Sequence, residues 1–447
     1  MSSSSSYIGF LGIPFLLLWA SSLLSYSLVV AQVPPSHQFK EVNDGELGFY
    51  IAEYGADWRP LSISRSPFQL FFYNTTPDAF TLAIRMGTRR STSSRRFVWE
   101  ANRGNPVGNN ATLTFGANGN LVLADHDGRV AWQTGTANKG VVGLEMSPNG
   151  NMVLYNSKGR YLWQSFDSPT DTLLVGQSLR VGGVNRLVSR ASPRDNVNGP
   201  YSLVMEPRGL SFYYAGRNAP VPVSYYTITI QHIKSNVERM TFHCTPNYDN
   251  HTYDLDLRYQ AGKGASAVEE TIMRTRTLYN STLSYLRLGI DGNLRFITFD
   301  NIVDYRAWDE TYTFFTSDQS PLRDSVCQIP TKCGSFGLCE DSQCVACPLA
   351  TRLAGWSKDC VPPKLTSCNP RYFGYYKLVG VDHFSSKYTS GISAKVGDCE
   401  VRCTKECKCA GYFYNEASSR CWIAYDLMTL TKVGNTSHVG YIKTPKI

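Results

Sequence analysis

Between residues 98 and 165 one phrase is written three times, and nothing else in the chain restricts its folding as strongly. Val98-Trp99-Glu100-Ala101, Ala131-Trp132-Gln133-Thr134 and Leu162-Trp163-Gln164-Ser165 set a tryptophan before a polar pair at spacings of 33 and 31 residues. A second phrase keeps step with it. Gly119-Asn120-Leu121-Val122-Leu123 and Gly150-Asn151-Met152-Val153-Leu154 each place their asparagine twelve residues ahead of a tryptophan. A fixed period of this size marks one small supersecondary unit copied about an axis or along a stack. The copies read as β: Leu113-Thr114-Phe115, Leu121-Val122-Leu123 and Val130-Ala131-Trp132 are short apolar or alternating runs. The residues between them, Gly116-Ala117-Asn118-Gly119 and Asp125-His126-Asp127-Gly128, form turns and tolerate positive φ. Three such sheets, each too small to bury its own inner face, would bring Trp99, Trp132 and Trp163 together as core.

At 447 residues the chain is too long for one core, and three or four domains are expected. Its 42% hydrophobic and 18% charged residues are those of a folded protein, and the absence of a long period-3.6 stripe agrees with a mainly β chain. The first 31 residues carry no charge and are apolar from Ile8 to Ala20, with Val29 and Ala31 placed as small residues before a cleavage point. This is read as a secretory signal peptide over residues 1–31. An uncleaved anchor is the alternative, because residues 1–6 lack Lys and Arg. No second stretch reaches the ~20 apolar residues of a membrane span.

Sequons at Asn74, Asn110, Asn250, Asn280 and Asn435 fit that route and are the expected glycosylation sites. The net charge of +8 is spread along the chain apart from Arg89-Arg90 and Arg95-Arg96. Outside a cell an acidic wall polysaccharide is the most available partner for such a charge, while solubility explains any single arginine.

Twelve of the thirteen cysteines lie between Cys327 and Cys421 in two sets of six. The first is Cys327, Cys333, Cys339, Cys344, Cys347 and Cys360; a segment of this size cannot hold itself by a core, and three disulfides are expected to do so. Zinc at Cys344-x-x-Cys347 is the disfavoured rival, so no metal is expected. The second set is Cys368, Cys399, Cys403, Cys407, Cys409 and Cys421, in which the four-residue spacing of Cys399, Cys403 and Cys407 predicts one side of a short helix. Strand-like runs on either side predict a helix pinned to a small sheet. The connectivity stays open, because six cysteines admit many pairings. Cys244 is left over, either buried and free or paired with another molecule.

Phe97-Val98-Trp99-Glu100-Ala101-Asn102-Arg103-Gly104-Asn105-Pro106-Val107, Asn120-Leu121-Val122-Leu123 and Leu162-Trp163-Gln164-Ser165-Phe166-Asp167-Ser168-Pro169-Thr170-Asp171-Thr172 closely resemble the bulb-type lectin domain of plant S-locus glycoproteins and S-domain receptors. The first cysteine set is similar to their EGF-like module and the second to their PAN/apple module. The whole chain, without a kinase, resembles the plant epidermis-specific secreted glycoproteins, a curculin-like mannose-binding lectin family. The resemblance implies a β-prism II bulb-type lectin domain of three four-stranded sheets over residues 45–180. A degenerate second copy is expected over 199–315, where Leu286 to Phe296 echoes the first and Ala307-Trp308-Asp309-Glu310 repeats the tryptophan phrase. An EGF-like module over 327–360 and an α+β PAN/apple module over 368–445 complete it.

Bulb lectins hold mannose with Gln-x-Asp-x-Asn-x-Val-x-Tyr on one strand, whose alternate residues share a face. Carboxylate, amides and phenol bond the hydroxyls, and valine packs on the C–H face. The best copy here is Ser147-x-Asn149-x-Asn151-x-Val153-x-Tyr155; the next, Gly116-x-Asn118-x-Asn120-x-Val122-x-Ala124, keeps only Asn and Val in register. Arg65-x-Pro67-x-Gln69-x-Phe71-x-Tyr73 keeps the tyrosine, and Gly289-x-Asp291-x-Asn293-x-Arg295-x-Ile297 keeps Asp and Asn. Losing Gln and Asp costs roughly 2–4 kcal/mol, against about 4 kcal/mol for a whole millimolar site. Asn149, Asn151, Val153, Tyr155, Asn118, Asn120 and Val122 are therefore candidate sugar contacts, with retention of Asn-Leu-Val for folding as the competing reading.

The expected function is glycan or glycoprotein binding in the plant cell wall or apoplast, without catalytic residues or cofactors. A structural or protein-binding wall glycoprotein, with a homodimer among its arrangements, is the alternative. No His-Glu-x-x-His, Gly-x-Ser-x-Gly or phosphate loop occurs, and nothing points to nucleic acid.

Overall fold

The computed structural model describes residues 32–48, 52–87, 95–229, 236–246, 251–260, 262, 266–277, 283–300, 303, 307–317 and 324–446. The leader and the sequons at Asn250 and Asn280 lie outside the described residues.

The first three-sheet unit contains eleven strands: β1 (Phe39–Val42), β2 (Asp57–Arg65), β3 (Phe68–Asn74), β4 (Phe80–Met86), β5 (Arg96–Glu100), β6 (Thr112–Phe115), β7 (Leu121–Ala124), β8 (Val130–Gln133), β9 (Val141–Met146), β10 (Met152–Asn156) and β11 (Tyr161–Gln164). They pair as β2-β3-β4-β5, β1-β6-β7-β8 and β11-β10-β9, so two sheets have four strands and the third has three. Each tryptophan of the repeated phrase sits on the last strand of its sheet. Trp99, Trp132 and Trp163 meet at centroid separations of 5.8, 6.0 and 5.6 Å with interplanar angles of 74°, 75° and 73°. Edge-to-face contact places each ring's positive edge on its neighbour's negative face, and three equivalent contacts close a triangle. The spacing of the repeat is thus the length of chain needed to build one sheet and return to the axis.

The second phrase has its own cause. Gly119 and Gly150 adopt φ of +75° and +85°, and a Cβ at Gly150 would lie 2.6 Å from Phe68 and 2.7 Å from Leu174. Only glycine allows both the left-handed turn and that approach of neighbouring sheets.

The second unit has three four-stranded sheets. Their strands are β12 (Thr172–Leu174), β13 (Ser178–Arg180), β14 (Arg186–Arg190), β15 (Asn198–Glu206), β16 (Gly209–Tyr214), β17 (Val223–Thr229), β18 (Val237–Pro246), β19 (His251–Gln260), β20 (Ala267–Arg276), β21 (Ser284–Leu288), β22 (Leu294–Phe299) and β23 (Trp308–Thr313). The orders are β12-β21-β22-β23, β13-β18-β19-β20 and β14-β15-β16-β17. Every sheet therefore takes its first strand from residues 172–190, ahead of the range 199–315 expected from the repeat. Its centre is built from Tyr201, Phe212, Tyr225 and Phe315, not from tryptophan. Trp308, expected to repeat the tryptophan phrase, packs instead with Tyr285 and Phe299 on the first unit's core. Alternation along β21 explains this: Leu286 and Leu288 face the second core while Tyr285 faces the first, so this sheet is buried on both sides.

In the C-terminal third, Phe336–Glu340 pairs parallel with Met428–Lys432, so strands from both cysteine-rich segments share one five-stranded sheet. A second five-stranded sheet packs against helix α1 (Val396–Lys405). The disulfides are Cys327–Cys339, Cys333–Cys344, Cys347–Cys360, Cys368–Cys407, Cys399–Cys421 and Cys403–Cys409. Cys399 and Cys403 lie on the buried side of α1, while Cys407 falls beyond its end. There Lys443 Nζ donates to the carbonyls of Cys403 at 2.8 Å and Glu406 at 3.0 Å, which also accept from the Glu406 and Cys409 amides, so a cation sits at the negative end of the helix. Cys244 forms no disulfide among the described residues and packs against the second unit's core, and burial pushes its thiol pKa up.

Candidate functional site

The four strands that resemble the sugar-binding pattern meet different fates. In the β10 copy, Asn151 is 6% exposed and its side chain is spent inside the fold. Its Nδ2 donates to Gln164 Oε1 at 2.9 Å, and its Oδ1 accepts from Ser165 Oγ and from the Phe166 amide, each at 3.3 Å. Asn149 is exposed and its Oδ1 accepts from the Asn151 amide at 3.3 Å, forming an Asx turn. Val153 is buried at 1% exposure, and Tyr155 is half-buried.

The β7 copy repeats this arrangement. Asn120 Nδ2 donates to Gln133 Oε1 at 2.8 Å, and its Oδ1 accepts from Thr134 Oγ1 and the Thr136 amide, each at 3.0 Å. Asn118, exposed, accepts from the Asn120 amide, while Val122 is half-buried and Ala124 stands where the tyrosine would be. In the second unit Asn293 clasps Phe315 through both its amide and its carbonyl, at 3.0 and 2.8 Å. The asparagine of each phrase thus ties a turn to the end of the sheet's last strand. In the first unit its partner is the glutamine beside the tryptophan, which is why the two phrases keep a twelve-residue step.

The β3 copy is closed. Tyr73 is fully buried, bonded to Glu100, and accepts from Arg190 Nη1 at 2.6 Å. Arg190 is 1% exposed and also donates to Asn196 Oδ1 at 2.6 Å, Ser192 O at 2.8 Å and Thr75 Oγ1 at 2.9 Å. Around it the two units are joined by ion pairs. Arg103 holds Glu100 and, at 2.9 Å, Asp171; Arg287 reaches Glu53 at 2.5 Å and Asp171 at 3.8 Å. Burial alone would raise the Asp171 carboxyl, but Arg103 and Arg287 hold it below its ordinary range. The Pro169-Thr170-Asp171-Thr172 phrase is therefore the crossing point between units: Thr170 O accepts from the Val188 amide, Thr172 Oγ1 from Arg287 Nε, and nearby Ser168 O from Trp99 Nε1, at 2.8, 2.9 and 2.9 Å.

The tyrosine of the β10 copy borders open space. Tyr155 lines a groove of about 500 Å³ between the edge strands β2 and β9, together with Phe39, Ser62, Ser64, Arg65 and Glu145. Its ring lies across Gly143, where a Cβ would come within 2.5 Å of the phenol oxygen. Arg65 and Glu145 face each other at 3.5 Å, both about half exposed. A guanidinium that only donates, a carboxylate that only accepts and a phenol ring form a set that suits vicinal hydroxyls, each of which does both. Sequence reasoning placed Arg65 only at the head of the first-sheet copy and missed its pairing with Glu145, because the two come from different sheets, 80 residues apart.

The sequence pattern of the D-mannose binding lectin family matches residues 96–192. EP1-like glycoprotein 4 of Arabidopsis thaliana is 51% identical over 94% of this chain and 95% of its own. The chain belongs to the EP1-like glycoproteins. The epidermis-specific secreted glycoprotein EP1 of Daucus carota is 56% identical over 78% of this chain and 92% of its own. A G-type lectin S-receptor-like serine/threonine-protein kinase of Arabidopsis thaliana is 28% identical over 77% of this chain but only 38% of its own length. Among the described residues of this EP1-like chain, no helix is long and apolar enough to cross a membrane and no cluster of His, Cys, Asp or Glu could hold a metal.

Proposed function

We propose that this EP1-like glycoprotein is secreted to the plant cell wall and binds mannose-type glycans, free or on other glycoproteins, without turnover. The groove beside Tyr155 carries this reading: it is the one sugar-pattern tyrosine in the described residues that borders open space, and it faces both a donor and an acceptor. In this reading Tyr155 contacts the sugar ring, Arg65 and Glu145 bond its hydroxyls, and Asn149 lies at the turn ahead of β10. Asn120, Asn151 and Val153 act through the fold. Secretion is inferred from the uncharged leader, the six disulfides and the name of the Daucus carota relative.

A second reading, a wall glycoprotein whose lectin folds serve only as scaffold, draws support from the internal use of Asn120, Asn151 and Tyr73. Calorimetric titration with an oligomannose glycan separates the two. Binding that is lost in Tyr155→Ala and weakened in Arg65→Ala supports the groove, and absence of binding in wild type and both variants supports the scaffold.

A further inference from the structure

The sheet that packs against α1 ends on an unfinished rung. Its strand Arg420–Ala424 pairs along its whole length with Gly411–Asn415 on one side, but on the other only with the two-residue edge strand Ile392–Ser393, at Cys421 and Arg420. Backbone groups of successive residues in a strand point to opposite sides. The Ala424 carbonyl accepts from the Ala410 amide at 2.9 Å, toward Gly411–Asn415, whereas the Ser419 carbonyl accepts from the Ala394 amide at 3.2 Å, toward the edge. Ile423 is in step with Ser419 and Cys421, so its N–H and C=O also point to the edge. There the chain ahead of Ile392 has left the sheet: the Thr389 amide donates to the Ser385 carbonyl, and the Thr389 carbonyl accepts from Trp422 Nε1, each at 3.1 Å. Among the described residues no hydrogen bond reaches the Ile423 backbone on that side. A donor and an acceptor left open together on a sheet edge form a template for one more strand.

A groove of about 360 Å³ opens at this rung. The Ile423 side chain packs toward the cysteines of α1, and on that side the groove is lined by Arg402 and, at the helix end, Glu406, both exposed. Trp422 points to the opposite face of the sheet and lines the groove as a half-buried ring, together with Val223 of the second unit. The carboxylate of Glu406 accepts from the Tyr425 hydroxyl and also acts on the Lys443 ammonium. Arg402 has no ion pair among the described residues, so the groove offers one cation without a counter-charge.

We propose that an extended segment of a partner protein adds to the sheet here as a short strand, with acidic and apolar residues in alternation. The residue opposite Ile423 exchanges both backbone hydrogen bonds with it. Residues opposed across a ladder share a face, so its side chain lies on the α1 side, where a carboxylate meets Arg402. The next side chain lies on the other face and packs on Trp422 and Val223. A peptide unit offers the acceptor and the donor at ladder spacing, which is the complement of the open Ile423 pair. The site lies in the second cysteine-rich segment and does not depend on the groove beside Tyr155.

The test combines calorimetric titration and hydrogen–deuterium exchange of the full, disulfide-intact glycoprotein. The probes are an acetylated and amidated hexapeptide of alternating valine and glutamate, the same peptide N-methylated at its glutamates, its valine–lysine counterpart, and cellotetraose. The valine–glutamate peptide is expected to bind and to slow exchange in residues 420–425. N-methylation removes the N–H that meets Ile423 and is expected to weaken binding at least about tenfold. Arg402→Gln, at an exposed position, is expected to weaken it about fivefold, and Tyr155→Ala to leave it at wild-type affinity. Absence of peptide binding, equal binding of the N-methylated or the lysine peptide, wild-type affinity in Arg402→Gln, unchanged exchange in residues 420–425 at saturation, or protection of that segment by cellotetraose would each overturn the proposal.

Discussion

Asn151 donates its side-chain amide to Gln164 at 2.9 Å, and the same bond joins Asn120 to Gln133 at 2.8 Å in the neighbouring sheet. Two phrases that look like fragments of a sugar site are, at these positions, the two halves of one clamp.

Replacing Asn151 with Ala should therefore destabilise the protein. The Gln164 side-chain carbonyl and the Phe166 amide lose their partners in a partly buried turn, at a cost of about 1–2 kcal/mol. Denaturant unfolding should report this loss, with Tyr155→Ala close to wild type. A stable Asn151→Ala that has only lost glycan binding would contradict the clamp.

Arg190 is the cation most deeply buried between the units. Arg190→Ala leaves Glu100 with Arg103 alone and takes the guanidinium from Tyr73, Asn196 and Thr75, at a cost of about 1–3 kcal/mol for each buried group left unsatisfied. Arg65→Ala breaks an exposed pair and should cost at most about 1 kcal/mol. Paired denaturation curves check the contrast, and equal effects would show that the junction does not depend on its charges.

The second cysteine-rich segment contains a histidine held neutral. His383 is buried, bonded to Ser385 Oγ at 2.7 Å and to the Asp426 carbonyl at 3.0 Å, and burial pushes its pKa down to about 4. The unfolded chain takes up this proton near pH 6.5, before the folded one does, so stability falls as pH drops from about 6.5 to about 4. The contribution is about 3 kcal/mol across that window. Thermal midpoints measured from pH 7 to 4 should decline less steeply in His383→Gln than in wild type.

Sugar occupancy should differ among the sequons. Asn74 is 7% exposed, and the hydroxyl of its neighbour Thr75 is bonded to Arg194 O at 2.7 Å, whereas Asn110 and Asn435 are exposed. A glycan on Asn74 would keep the second unit from docking. Glycopeptide mass spectrometry of the secreted protein should find Asn110 and Asn435 modified and Asn74 bare.

The tryptophan triangle was legible in the chain because three copies of one phrase need a common axis. The junction was not: Glu100 and Arg190 are 90 residues apart, and no spacing rule pairs a carboxylate with an arginine at that distance. The start of the second unit was hidden for a simpler reason. Its first two strands, Thr172–Leu174 and Ser178–Arg180, have three residues each, too few to display alternation. The disulfide partners and the Arg65–Glu145 pair likewise depend on tertiary approach, which local pattern does not encode.

Hydrogen–deuterium exchange of the disulfide-intact protein, with and without a saturating oligomannose glycan, tests the functional reading most directly. Slowed exchange in residues 61–65 and 141–156, the two walls of the Tyr155 groove, is the predicted result. Protection confined to residues 116–124, or none at a concentration where binding is measurable, would contradict it.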